Sequence, residues 1–397
     1  MKILHTSDWH LGQNFMGKSR VEEHEAFLSW LLKIIKEKEI EVLLVSGDIF
    51  DTGTPPNYAL ELYYNFLKEL SSIKTLITTI ITAGNHDSVS TLKAPKQLLE
   101  VLNVHVITTG DEDENVIIPI NKNDDLIFII CAVPYLRDSV IRESLSGITI
   151  SEKEKLANSG IKAYYENCYS KALELKEDKN IPIIAMGHLT TVGCRSSQSE
   201  RDIYIGGTID IGGDYLASMF DYVALGHLHI NQIVGNNEHV RYSGSPIPLS
   251  FSESKNTQKV NLISFTQNEM SIEEIVVPLS RKLLVIKGNY ETIKNELTKI
   301  EDKNSWIEVH ISDDNAMYAN NEIRQLASKL ELTLLAVKID KSEKQLKANE
   351  LKVISLDELS VEQVFEKRLK LEKLEDKEFE KELLLNFKEV VSKMQSL

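Results

Sequence analysis

The sequence predicts an α/β protein of two or three domains whose chemistry sits at the ends of buried strands. Three observations lead there. Short apolar runs alternate with amphipathic helical stretches over the first two-thirds of the chain. Five of those runs stop at a turn that carries Asp, Asn or His beside Ser or Gly. The character then shifts near Pro278, where a small strand–helix module begins and two further helical stretches follow it. A chain of 397 residues also exceeds what one ordinary core serves.

Taken in order, residues 2–8 read as a short strand, and residues 20–38 carry Val21, Phe27, Leu28, Leu31, Leu32, Ile34 and Ile35 at helical spacing. Val42 to Val45 is a second strand, running into Ser46-Gly47-Asp48. Pro55-Pro56-Asn57 opens a helix over Tyr58–Leu70. The run Leu76–Thr82 ends at Ala83-Gly84-Asn85-His86-Asp87. Asp111 to Asn115 is a charged turn, Leu126–Val133 a strand, and residues 152–176 a polar helix. Ile181–Met186 and Tyr222–Leu225 are strands that each stop at Gly-His, and Val240–Val277 reads as strand after strand. Beyond Pro278 come strand (Leu283–Ile286), helix (Tyr290–Ile300), strand (Trp306–Ile311), helix (Asn321–Leu330) and strand (Leu334–Ile339). A Lys-rich link leads to two helices within 360–394.

Composition narrows the class. The 42 % hydrophobic and 26 % charged shares fit a soluble globular protein, and no apolar run reaches the roughly 18 residues of a membrane span. Asp8 arrives too early for a secretory signal, and Cys131, Cys168 and Cys194 form no CxxC pair. Reduced thiols in a cytoplasmic protein are therefore expected. A net charge of −15 argues against a DNA binder that works through a basic surface. It does not exclude nucleic acid, since charges beyond the Debye length of about 8 Å are largely screened. No GxxxxGK[ST] loop is present, so any ATP use must come from another chain.

The strand-end motifs carry the chemistry. Asp8-Trp9-His10 aims a carboxylate and an imidazole at one point if the segment is extended, although alone it reads equally well as a surface turn. Gly47-Asp48-Ile49-Phe50-Asp51 brings a carboxylate, able to bridge two cations, to a strand end; alone, Asp48 could simply cap a turn. In Gly84-Asn85-His86-Asp87, Asn85 offers a neutral oxygen, His86 an acid and Asp87 a means of orienting the loop. Gly187-His188 and Gly226-His227-Leu228-His229 complete the series. Of ten histidines, five (His10, His86, His188, His227, His229) follow strands in polar turns. His5, His24, His105, His239 and His310 read as core or surface residues. The metal candidates are thus Asp8, His10, Asp48, Asn85, His188, His227 and His229, seven ligands without a thiolate. They suit a pair of Mn, Fe or Zn ions with one shared carboxylate.

The ordered motifs DxH, GDxFD, GNHD, GH and GHxH resemble those of the calcineurin-like metallophosphoesterases. His5-Thr6-Ser7-Asp8-Trp9-His10-Leu11-Gly12, Ser46 to Asp51, Gly84 to Ser88 and Tyr242-Ser243-Gly244-Ser245-Pro246 are similar to its DNA-repair nuclease branch. The resemblance implies a β-sandwich flanked by helices over residues 1–278, an α/β capping domain over 279–342, and a linker with a helix-loop-helix over 343–397. It implies one metal held by Asp8, His10, Asp48 and His229, a second held by Asp48, Asn85, His188 and His227, and His86 as the catalytic residue. Manganese is the expected ion at both. Asp51 departs from archaeal and eukaryotic relatives, which carry His there, and its role stays open.

The implied activity is two-metal exonuclease and endonuclease cleavage of DNA double-strand ends and hairpins, in repair, recombination and replication. The competing readings are a phosphodiesterase or phosphatase of a small substrate or phosphoprotein, and a DNA-end scaffold with a vestigial site. A homodimer is expected through the helix bearing Tyr58, Leu62, Tyr63, Tyr64, Phe66 and Leu70, part of which must pack on the sheet. A coiled-coil ATPase subunit is the expected partner of residues 360–394. There Ser360–Gln363 and Asp376 cap two helices, and their stripes include Phe365 and Phe387, expected to face the partner rather than each other.

Overall fold

The computed structural model describes residues 1–111, 114–141, 150–197, 199–200, 211–266, 269–313, 315–339, 364–366, 368–369 and 377–395. The chain folds into two compact units, Met1–Ser280 and Arg281–Leu397.

The first unit runs β1 (Lys2–Thr6), β2 (Asn14–Phe15), β3 (Lys18–Ser19), α1 (Val21–Glu37), β4 (Val42–Ser46), α2 (Asn57–Ser71) and β5 (Thr78–Thr82). It continues through α3 (Val89–Lys93), α4 (Lys96–Val101), β6 (Val104–Ile107), β7 (Ile117–Lys122), β8 (Asp125–Ala132), α5 (Asp138–Ile141) and α6 (Ile150–Lys176). β9 (Ile183–His188), α7 (Gly213–Ala217), β10 (Tyr222–Gly226), β11 (Gln232–Val234), β12 (Asn237–Tyr242), β13 (Lys259–Thr266) and β14 (Glu269–Val276) complete it. Two six-stranded sheets result, ordered β14-β13-β1-β4-β5-β6 and β11-β12-β10-β9-β8-β7.

These sheets form the sandwich. Ile3, Val42, Leu44 and Ile80 of the first sheet share a buried cluster with Ile129, Ile184, Val223 and Val240 of the second. The alternate residues Leu4, Leu43, Val45 and Ile81 point the other way, into a second cluster with Phe27 and Leu31 of α1 and Phe66 and Leu70 of α2. Both faces of the central strands are buried, which is why they read as continuous apolar runs rather than alternating ones. His5, read as a bland residue, ties the two layers: its ring meets the Tyr222 hydroxyl at 3.0 Å and the Leu225 carbonyl at 3.2 Å. Burial takes its pKa down to about 3.

One expectation needs correction here. Val240–Val277 is not strand throughout, because Ser243–Gln258 folds as loop around a 3-10 turn at Phe251–Glu253. On α2, Tyr63, Phe66 and Leu70 are buried in the cluster shared by α1 and the sheet, as expected of part of that stripe, leaving Tyr64 as the more exposed aromatic.

The second unit holds β15 (Leu283–Gly288), α8 (Tyr290–Thr298), β16 (Trp306–Ile311), α9 (Ala316–Lys329) and β17 (Thr333–Ile339), a parallel three-stranded sheet. Ile293, Leu297, Ile307, Val309 and Ile323 build its core. Residues 364–366 and 368–369 are helical, and α10 spans Lys377–Gln395. The proposed caps Ser360–Gln363 and Asp376 lie outside the described residues. Contrary to expectation, Phe365 and Phe387 face each other, their rings stacked at 3.8 Å and 5°. Two partly apolar helices at the end of a polar link cover part of their stripes mutually, while Val390 stays 53 % exposed.

The charged turn has a specific purpose. Buried Glu114 turns its carboxylate back to accept the N–H groups of Thr108, Thr109 and Gly110 at 2.8, 2.8 and 3.1 Å, and pairs with Lys96 at 2.9 Å. Against the cost of burial, those donors and Lys96 take its pKa down to about 2. Glu114→Ala is therefore expected to cost about 2–3 kcal/mol at pH 7. The folded pKa lies below the unfolded one, so the contribution is complete above about pH 4.5 and fades as pH falls through about 2. Urea unfolding of wild type and variant should show a smaller gap at pH 3 than at pH 7.

Candidate metal centre

The site forms where β1 and β4 of one sheet and β9 and β10 of the other end side by side. Pairing sets the register: Thr6 lies beside Val45, and Gly226 beside His188. Asp8, His10, Asp48, His188, His227 and His229 leave those strand ends buried, with Asn85 and His86 on the loop after β5.

Close approach of the two sheets demands glycine. A Cβ on Gly47 would overlap the His188 ring, and one on Gly226 would overlap the Ser46 carbonyl. The backbone is also bent hard: Asp8, His10, Asp48 and His227 all take positive φ, at 53°, 46°, 50° and 96°. Such conformations cost roughly 1–3 kcal/mol each in non-glycine residues and persist where surroundings hold them. These turns, not an extended same-face geometry, bring Asp8 and His10 together.

Donor atoms converge in overlapping groups. Asp8, His10 and His229 can each place a ligand atom within 4.8 Å of the others, as can Asp48, His188 and His227, and His10, Asp48 and His86. Asp48 joins the groups: its Oδ2 lies 3.3 Å from His188 Nε2 and 3.6 Å from His10 Nε2, while Oδ1 accepts the His86 N–H at 2.9 Å. Asn85 Oδ1 is 3.0 Å from His188 Nε2. Asp8 Oδ1 accepts the His227 N–H at 2.9 Å, and its Oδ2 accepts the Ser7 hydroxyl at 2.5 Å.

The outer ring nitrogens are anchored by acceptors. His188 Nδ1 donates to the Ser46 carbonyl at 3.0 Å, His86 Nδ1 to the Asp51 carbonyl at 2.8 Å, and His10 Nδ1 to Asp51 Oδ1 at 3.1 Å. His229 Nδ1 faces Ser199 Oγ at 2.7 Å and Glu253 Oε1 at 3.3 Å. An acceptor at Nδ1 fixes the proton there and turns Nε2 inward as a free donor atom.

The electrostatics match a cation centre. Burial opposes charge on His10 and His188, yet carboxylates overcome it and raise both to about 9: Asp51 and Asp48 for His10, Asp48 and Asp8 for His188. His227 moves well down, through burial and then the charge of His188. Burial also drives Asp8 up. His10 Nε2 is buried with no hydrogen-bond partner, an orphan that a bound cation would satisfy. The all-oxygen-and-nitrogen donor set fits a divalent transition metal.

Asp87 holds the frame. Fully buried, it accepts the N–H groups of Ile49, Phe50 and Gly84 at 3.1, 2.9 and 2.8 Å, which locks the Asp48 loop to the Asn85 loop. The sequence placed it as a loop orienter. It left Asp51 open and missed Ser199, Glu200 and Glu253. Asp51 contacts both His10 and His86, whereas Glu253, in a serine-rich stretch 24 residues after His229, carries no motif that could have flagged it.

Residues 1–231 match the calcineurin-like phosphoesterase family, and the chain belongs to it. Residues 280–373 match a second family, described as the type 5 capsule protein repressor C-terminal domain. The chain is 39 % identical to the SbcD subunit of the nuclease SbcCD from Escherichia coli (strain K12) over 382 residues, 95 % of this chain and 94 % of that one. It is 31 % identical to the protein of the same name in Bacillus subtilis (strain 168), over 78 % of this chain and 79 % of that one. Within the phosphoesterases it thus belongs with the SbcD nucleases. No helix among the described residues is long and apolar enough to cross a membrane.

Asp87→Ala strips the acceptor from three backbone donors at once. It should lower unfolding free energy by about 3 kcal/mol in metal-free protein, measured by denaturant titration. A loss below about 1 kcal/mol would show that water replaces the carboxylate.

Proposed function

We propose that this chain is a metal-dependent DNA nuclease that cleaves double-strand ends and hairpins, acting with an SbcC-like coiled-coil ATPase in DNA repair and recombination. The observation that carries the reading is the cluster itself: Asp8, His10, His229 and Asp48, His188, His227 converge around one shared carboxylate. The relatives' name extends it to DNA and to a partner subunit.

Asp8, His10, Asp48 and His229 would hold one divalent ion, and Asp48, Asn85, His188 and His227 another, manganese in each case. Bound there, the ions supply a nucleophilic water at neutral pH and positive charge for the scissile phosphate. The chain's own work is orientation and proton transfer. Asp51 and Ser46 hold His10, His86 and His188 by Nδ1, which would leave Nε2 of the half-buried His86 for proton transfer to the substrate. Hydrolysis adds one water across the P–O bond: His86 would give its proton to the departing oxygen, and the proton released by the water would return the imidazole to its charged form.

His86 also lies within reach of His10 and Asp48, which makes it a possible ligand instead. His86→Ala should keep both ions and lose at least about 100-fold in manganese-dependent cleavage of linear and hairpin DNA. Asp48→Ala should lose metal as well. Metal analysis of the two purified variants separates the roles: an emptied site in His86→Ala would make it a ligand.

A homodimer and ATPase docking through the C-terminal helices belong to the same proposal. Because Phe365 and Phe387 stack on each other, charge at either would open the helix pair itself. Val390, exposed on α10, is the cleaner probe. Val390→Glu should weaken capture of the ATPase at least about tenfold in a pull-down and leave metal content unchanged. Light scattering at micromolar concentration should show a dimer.

A further inference from the structure

Glu253 lies in the 3-10 turn after β12, outside every motif of the site, and its side chain is fully buried. Its Oε2 accepts the Leu249 N–H at 2.8 Å. Its Oε1 accepts the Ser197 hydroxyl at 2.8 Å and the Ser199 hydroxyl, and faces His229 Nδ1 at 3.3 Å. A buried carboxylate met by that many donors is held as an anion.

A carboxylate only accepts, so the Glu253 oxygen 3.3 Å from His229 Nδ1 sets the direction of that contact: the ring donates, its proton sits on Nδ1 and Nε2 is left bare. Ser199 Oγ shares its one proton among three neighbours, Glu253, Ser197 Oγ at 2.6 Å and His229 Nδ1 at 2.7 Å, and sets no direction of its own. Glu200 holds the same residue from behind, its Oε1 accepting the His229 N–H at 2.7 Å.

We infer that Glu253 is a positioning residue for the metal centre, fixing the His229 tautomer and ring so that Nε2 faces the ion shared with Asp8 and His10. The inference rests on the two-ion reading above and goes beyond its ligand set. It also makes the two sites unequal: the ion at Asp8, His10 and His229 depends on Glu253, and the ion at Asp48, His188 and His227 does not.

Glu253→Gln tests this because an amide cannot accept at both ends. Its NH2 meets either the Leu249 N–H, or the His229 side, where it would donate to Nδ1 and drive the proton onto Nε2. Manganese titration of the apo protein by calorimetry should show one of two sites weakened about 10–100-fold and the other unchanged. Ser199→Ala leaves the direct Glu253 contact, and both sites should stay within about threefold of wild type. A measurement on unmodified protein guards against a variant that does not fold: 15N NMR of histidine-labelled, metal-free wild type should show His229 protonated at Nδ1. Two unchanged sites in folded Glu253→Gln, equal weakening of both, or an Nε2-protonated His229 in wild type would overturn the inference. A wild type that binds no second ion would instead overturn the two-ion reading.

Discussion

Two fully buried carboxylates, Asp8 and Asp48, sit at one end of the sandwich, and much of the surrounding structure serves to keep them there. Removing a carboxylate from water costs several kcal/mol unless hydrogen bonds and opposite charge replace the lost hydration. The chain answers with hydrogen-bond donors first: the backbone N–H groups of His227 and His86, and the Ser7 hydroxyl. Imidazoles come second. Against the cost of burial, the carboxylates raise His10 and His188 to about 9, a sign of how strongly the cluster favours positive charge. Divalent ions answer the same demand with more charge in the same small volume.

That demand explains the local backbone. A ligand cluster between two sheets needs chain ends from both to turn inward within a few residues, and regular strand geometry cannot do this. Left-handed conformations at Asp8, His10, Asp48 and His227 perform the turns, and Gly47 and Gly226 let the turns pass each other. Strain is held by neighbours with no ligand role. Asp87 ties the Asp48 loop to the Asn85 loop through three N–H groups, and buried Arg20 pins the chain near Glu253 through the Pro248 carbonyl at 2.5 Å.

The sequence made the strands, most helices and the converging ligand types legible because each rests on local pattern: apolar runs, helical spacing, Gly beside Asp or His. It misplaced features fixed by distant partners. On α2, periodicity could not say what covers the inward side of the stripe: Phe50 meets Tyr63 and Trp9 meets Phe66, with ring centroids 5.3 and 5.4 Å apart. Phe365 and Phe387 carried the mark of a docking surface and stack on each other. Glu253 was invisible for the same reason. A glutamate among serines has the composition of a solvated turn, and only the return of the 243–258 loop against His229 makes it part of the centre.

The anchors of the imidazoles add a last asymmetry. His188 rests Nδ1 on a neutral carbonyl, that of Ser46, whereas His10 and His229 rest theirs on the carboxylates of Asp51 and Glu253. An anionic acceptor makes the ring a more basic ligand than a carbonyl does. The Asp8–His10–His229 group therefore combines its own carboxylate with two strengthened imidazoles. The Asp48–His188–His227 group has a carbonyl-anchored ring, an imidazole driven well away from its cationic form, and the neutral oxygen of Asn85 nearby. Two sites that share Asp48 thus differ in the charge they can neutralise. Two ions held there under the proposed reading would meet unequal shells, the one at Asp8, His10 and His229 donating more strongly than the other. In a protein of net charge −15, such ions would supply the local positive charge that a polyanion needs at this end of the fold.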